Sequence, residues 1–211
     1  MATRIPSPSK TMRKQPRQQR SRVTVQAILD AGARVLDRRG WAGFTTNEIA
    51  EVAGVSIGSL YQYFPNKLVL IEAITLRHLD DVLAVLRTVD DNAMPPAQRV
   101  ELLVDGMIAI HNTNPALHRL LLEEAPNSKA LQSAHDLFEA EYLRRYEALV
   151  VSAGGRRKRL SDPAAAQVLS AAVAGAIHDA ARRGALMSPA MRQELVKLVS
   201  AYLLGKQQSA A

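Results

Sequence analysis

The stretch that most limits the fold runs from Thr45 to Lys67, TTNEIAEVAGVSIGSLYQYFPNK. Its start and stop signals fit two short helices joined by a tight turn. Thr45 is followed three residues later by Glu48, the spacing of a capping box, and this predicts a helix through Ala53. Gly54 can take the positive φ that ends a helix and turns the chain. Val55 is an apolar plug for that turn, and Ser56 can cap a second helix carrying Ile57 to Phe64. Pro65 and Asn66 stop it, and Lys67 opens a longer helix. Ile49 and Ala53 lie four apart on one face, as do Leu60 and Phe64 on the other helix. Ala50 is small where the two helices must cross closely.

This is the spacing of a helix-turn-helix. The second helix then turns Ile57, Gly58 and Gln62 outward, with the edges of Ser59, Tyr61 and Tyr63. That face carries no acidic residue, which suits a polyanionic groove. In helix-turn-helix geometry the second helix enters the major groove and its N-terminal half meets base edges.

Charge supports the same reading. The net charge of +7 sits entirely in residues 1–67, with eleven Lys or Arg against four Asp or Glu, whereas residues 68–211 carry sixteen of each. A basic first part and a neutral second part form an electrostatic footprint for nucleic acid on one domain. No apolar run approaches the roughly 20 residues needed to span a bilayer. No N-terminal segment resembles a signal peptide. Cysteine is absent, which excludes disulfides and a cysteine nucleophile and fits a cytoplasmic chain.

Taken in order, residues 1–20 are polar and basic and read as a flexible arm. The arm is either a bare leader or a segment that follows the phosphate backbone or enters the minor groove. A first helix is expected from about Ser21 to Arg39, with Val23, Ala27, Ile28, Ala31, Val35 and Leu36 on its apolar stripe and Gly40 at its end. Trp41 and Phe44 follow as core residues bracing the turn. The helix opened by Lys67 is expected to bury Leu68, Ile71, Ile74, Leu79, Leu83 and Leu86 and to end near Thr88. Beyond it, prolines at or near first helical positions mark further starts. Helices are expected from Pro96 to Asn112, Pro115 to Glu124, Asn127 or Ser128 to Val151, Pro163 to Arg183 and Pro189 to Leu204. The expectation is an all-α chain of about nine helices.

The motifs F-T-T-x-E-I-A at Phe44 to Ala50, A-G-V-S at Ala53 to Ser56 and G-S-L-Y-x-Y-F-P-N-K at Gly58 to Lys67 occur in order and without gaps. Together they resemble the DNA-binding domain of the TetR family of bacterial transcriptional regulators. The match covers Arg20 to Leu70. The resemblance implies a three-helix helix-turn-helix domain over residues 21–66 and a helical ligand-binding and dimerisation domain over 67–206. It also implies a homodimer on a palindromic operator in double-stranded DNA, acting as a repressor released by a small-molecule effector of unknown identity. Half-sites are then about one helical turn apart, or a multiple of it.

Candidate DNA contacts follow residue by residue. Thr46, in the first turn of its helix, can donate to a phosphate, as the matching family position does. Asn47 can reach a base edge. Ser56 and Ser59 are short donors at the start of the reading helix, and Gly58 permits close backbone approach. Tyr61 fits a phosphate or a thymine methyl, and Gln62 can pair with adenine. Tyr63 matches a position where the family carries His or Tyr against phosphate. Tyr61 and Tyr63 could instead pack on the first helix. Lys67 is a phosphate clamp. Ile57 offers only a methyl contact.

The helix from Pro163 is rich in small residues, including Ala171 and Gly175, and the last helix offers Leu195, Leu198 and Tyr202. Two such helices per subunit can form a four-helix bundle across a two-fold axis, and the family dimerises through its last helices. An ordinary intrachain core is the competing reading. Met107, His111, Phe138, Tyr142 and His178 combine polar and apolar character on helices expected to surround an effector cavity, although core packing suits each equally.

An enzyme would need a constellation that is not evident. The five His form no H-E-x-x-H or other dense metal pattern, and neither phosphate-binding glycine motif occurs. No catalytic residue, metal or cofactor is expected. Two other classes remain: a DNA binder without an effector, and a helical adaptor or enzyme carrying a borrowed helix-turn-helix.

Overall fold

The computed structural model describes residues 19–90, 93–113, 117, 129–153 and 163–205. All regular structure among them is helical: α1 Gln19–Gly43, α2 Thr46–Ala53, α3 Ile57–Tyr63, α4 Lys67–Thr88, α5 Pro96–Thr113, α6 Lys129–Ala153, α7 Pro163–Arg182 and α8 Pro189–Leu204. These are eight helices. Of the helix expected from Pro115 to Glu124 only Leu117 is described, helical and buried in the core of the first unit. Residues 1–18 of the expected arm lie outside the described residues, whereas Gln19 and Arg20, expected in the arm, already belong to α1. No described helix is long and apolar enough to cross a membrane. The described residues fall into two compact units, one drawn from Met1–Asp80 and Asn114–Leu137, the other from Asp81–Thr113 and Phe138–Ala211.

In the first unit α1, α2, α3 and the start of α4 enclose one core. Its centre is Ile28, Leu36, Phe44, Ile49, Leu60, Phe64, Leu70, Ile71 and Ile74, each at most 1 % exposed. The apolar stripe of α1 begins later than its pattern suggests. Ile28, Ala31, Val35 and Leu36 are buried as expected, Ala27 is half-buried and Val23 is 63 % exposed, while Val25, Leu29 and Ala33 join the core. Gly40 interrupts α1 with φ 62° and ψ −170°, so Trp41 and Phe44 leave the axis of the preceding helix. Leu68 is also exposed, while Leu70 and Ile71 take the inner positions of α4. An ion pair from Arg77 to Asp30 at 2.6 Å ties α4 to α1. Its partial exposure limits its value to about 1 kcal/mol or less.

In the second unit α5 packs against α7 and α8, which also pack on each other. Val100, Leu103, Val104 and Met107 of α5 are buried, with Leu169, Val173 and Ile177 of α7 and Leu195, Val199 and Leu203 of α8. The prolines at the starts of α5, α7 and α8 mark true N-termini. Ser188 occupies the cap of α8 without a side-chain hydrogen bond, so Pro189 rather than the hydroxyl sets that start.

Two buried arginines hold the end of α4. Arg99 donates from Nε to the Val89 carbonyl at 2.6 Å and from Nη1 to Ser152 Oγ at 2.8 Å. Arg145 bridges Glu141 at 2.7 Å and Asp90 at 3.0 Å. Hydrogen bonds from Arg144, joined by Arg145, hold the Glu141 carboxyl below its usual range.

Candidate nucleic-acid interface

The two short helices are defined by side chains within them. Thr45 is extended and its hydroxyl accepts from the Glu48 amide at 3.3 Å, which satisfies one free donor of α2. The reciprocal half of a capping box does not form: the Thr45 amide donates to Gly43 at 3.0 Å, and the Glu48 carboxylate pairs with Arg39 at 3.0 Å. Gly54 ends α2 with φ 67° and ψ 30°. Its amide bonds Glu51 and that of Val55 bonds Ala50, both at 3.0 Å, so the turn closes on the last carbonyls of α2. A side chain at Gly54 would be strained in this left-handed conformation.

Ser56 then caps α3, accepting from the Ser59 amide at 3.1 Å. Its hydroxyl also meets that of Ser59 at 2.8 Å. Asn66 caps α4, its Oδ1 accepting from the Val69 amide at 3.0 Å. The turn and both caps leave Asn47, Ser56, Ile57, Gly58, Tyr61 and Gln62 exposed. Thr46, Ser59 and Lys67 are half-buried. Among the described residues, apart from its chain neighbours and its own helix backbone, only Ser56 Oγ lies within 4 Å of a Cβ built at Gly58. Packing therefore does not demand glycine there, and the backbone stands open to approach.

One residue stands apart. Tyr63 is only 7 % exposed and its ring belongs to the core, so at most its hydroxyl end remains for an outside partner. Seven residues of helix held on two sides leave too narrow an outward face for it. Two contacts were not foreseeable from spacing. Thr46 Oγ1 lies 3.1 Å from the Tyr61 hydroxyl and ties the first turn of α2 to α3. One proton serves that bond and the other hydroxyl proton is left over for an external acceptor. Lys67 Nζ lies 4.4 Å from the centre of the Trp41 ring.

The second unit brings the expected effector residues into two sets. The rings of His111 and His178 meet at a tilt of 36° with centres 5.2 Å apart, and the Met107 carbonyl is 2.8 Å from His111 Nδ1. A carbonyl only accepts, so that nitrogen carries the proton. Phe138 and Tyr142 stack at 5.2 Å, and Tyr142 meets Tyr146 at 4.9 Å. Tyr146 is fully buried, and burial pushes its phenol well above the ordinary value. The Phe138, Tyr142, Tyr146 ladder follows a four-residue spacing that could have disclosed its third member.

Two family models match the sequence. One, described as bacterial regulatory proteins of the tetR family, covers residues 28–74. The other, described as the tetracyclin repressor-like C-terminal domain, covers residues 95–203, about half of the chain. The chain belongs to the TetR family. Nucleoid occlusion factor SlmA of Aliivibrio fischeri is 28 % identical over 116 residues, 53 % of this chain and 59 % of that relative. This TetR-family chain thus spans well under two thirds of that relative's length. The fatty acid degradation regulator FadR of Bacillus halodurans has the same fold, with a TM-score of 0.69 at 17 % identity over 92 % of this chain and 98 % of FadR. FadR of Bacillus subtilis, solved in complex with stearoyl-CoA, aligns with a TM-score of 0.62 at 15 % identity over 85 % of this chain and 98 % of that one. The two family models together cover the helix-turn-helix and the helical C-terminal part of the chain.

The buried histidine gives this TetR-family chain a pH response. Burial lowers the pKa of His111 from 6.5 to about 4, against the bond to Met107, and His178 pushes it down further. Between these values the unfolded chain binds a proton that the folded chain refuses. The stabilisation is therefore complete above pH 6.5 and is lost as pH falls towards 4. Stability should drop by up to about 3 kcal/mol across that window. Urea unfolding at a series of pH values should show the loss, and His111→Gln should flatten it.

Proposed function

We propose that the chain acts as a homodimer on a palindromic operator, represses transcription there, and is released by a small-molecule effector bound in its second unit. The observation that carries the DNA part is the exposed, acid-free surface of α3 on the part of the chain that holds the whole net positive charge. Thr46, Asn47, Ser56, Ile57, Gly58, Ser59, Tyr61 and Gln62 form the reading surface, the Tyr63 hydroxyl stands at its edge, and Lys67 clamps a phosphate. The basic arm of residues 1–20 adds backbone contacts. The functional boundary falls between residues 66 and 67, and the protein works in the cytoplasm.

The dimer forms through α7 and α8. Ala171 and Gly175 are exposed on α7 beside Val168, itself 57 % exposed, and Leu198 is 41 % exposed on α8. Leu195, at 2 % exposed, is already used within the chain and belongs to the core behind that face. Tyr202 donates to the Ala165 carbonyl at 3.2 Å and braces α8 on α7. The effector meets Met107, His111, Phe138, Tyr142 and His178. The stearoyl-CoA complex of a protein with this fold supports a small-molecule effector.

Selection of genomic fragments by the purified protein at near-physiological salt, followed by footprinting, tests the proposal. One recurring inverted repeat is expected. Random fragments, lost steeply as salt rises, would overturn site-specific regulation.

A further inference from the structure

The only tryptophan of the chain and the lysine that opens α4 make a contact that a phosphate clamp does not by itself require. Lys67 Nζ lies 4.4 Å from the centre of the Trp41 ring, within the range of cation–π attraction. Trp41 is itself held by the core. Its ring stacks on Phe44 with centres 5.5 Å apart and planes 17° from parallel, and Phe44 is fully buried. Among the described residues Lys67 makes no ion pair.

We infer that Trp41 is a positioning residue for DNA binding, holding the Lys67 ammonium beside the reading helix ready for a phosphate. This rests on the DNA-binding reading above. The choice of partner matters. A carboxylate would fix the lysine but cancel its charge, and a phosphate would then have to displace it. An aromatic face orients the ammonium while leaving the charge and the N–H groups pointing away from the ring available. Lysine also loses more rotamer freedom on immobilisation than most side chains. The stacked ring removes part of that freedom before DNA arrives. The sequence pattern places Trp41 only as a brace for the core, and it serves as that too, since its ring meets both Phe44 and Lys67.

Binding to a random-sequence 30-bp duplex tests this, because a phosphate clamp acts on any sequence. Affinity is measured across a salt series for the wild type, Trp41→Leu, Trp41→Phe, Lys67→Ala and the Trp41→Leu/Lys67→Ala double variant. Trp41→Leu keeps an apolar cover on Phe44 and should weaken binding about 3-fold per reading head, or about 10-fold for a dimer. Trp41→Phe keeps a π face and should recover part of the loss. Lys67→Ala should lower the salt slope by about one unit per head. In that background Trp41→Leu should have no further effect. An equal loss in both backgrounds would reduce Trp41 to packing and overturn the inference, as would no loss in either. The free protein gives an independent reading: Lys67→Gln should alter the fluorescence of the single tryptophan, and unchanged emission would remove the contact. A wild-type protein that binds no duplex even at low salt would instead overturn the DNA-binding reading, and the positioning role with it.

Discussion

Gly175→Leu is expected to split the proposed dimer while leaving the fold of each chain intact. Gly175 is exposed on α7, and a Cβ built there meets no atom of the other described residues within 4 Å, apart from its chain neighbours and its own helix backbone. Within the monomer the change should even help, because glycine in a helix interior costs about 0.5–1 kcal/mol relative to better helix formers. Any loss must therefore come from a second chain. At a close helix–helix contact an inserted side chain costs about 1–3 kcal/mol. A two-fold axis repeats it, for a total of about 2–6 kcal/mol, which raises the dissociation constant roughly 30-fold to more than 10⁴-fold. Sedimentation equilibrium should show monomers at concentrations where the wild type is dimeric, with helix content by circular dichroism unchanged. An intact dimer would move the interface away from the α7 face.

Phe44→Ala is expected to unfold the reading head. Phe44 is fully buried and packs within the core shared by α1, α2, α3 and α4. Truncating a buried phenylalanine costs about 3–5 kcal/mol, against about 5–15 kcal/mol for a whole domain. The short helices have little of their own to offset this. α2 buries Ile49 and Ala50, and α3 buries Leu60 and Tyr63. Helices of eight and seven residues are marginal without packing. Chemical denaturation should show an earlier first transition, assigned to the first unit, and DNA binding should be lost with it. Phe44→Leu should retain most of the stability. A cost below about 1 kcal/mol for alanine would mean that the site collapses around the gap, and that Phe44 does not organise this core.

The boundaries of α2 and α3 were readable from the sequence because the groups that set them lie within four residues of each other. Thr45, Gly54, Ser56 and Asn66 act through hydrogen bonds to nearby backbone. The proline starts of α5, α7 and α8 were readable for the same reason, since a missing N–H is a local property. Family membership followed from the same short stretch, because its motifs are contiguous.

The tertiary structure alone decided which faces are used and which distant residues meet. A helical period says that Val23 and Ala27, or Leu68 and Ile71, can share a side, but it does not fix the rotation of the helix against its neighbours. In the structure Val25 rather than Val23 is the first buried position of α1, and Leu68 faces outward. Enclosure of α3 drew Tyr63 into the core, and the fold of α8 spent Leu195 on its own chain. The Thr46–Tyr61, Trp41–Lys67 and His111–His178 contacts each join segments whose approach depends on crossing angles and side-chain rotamers. Caps and turns are encoded over single turns of helix. Contacts between helices are encoded by the whole core, and no short stretch of this sequence carries them.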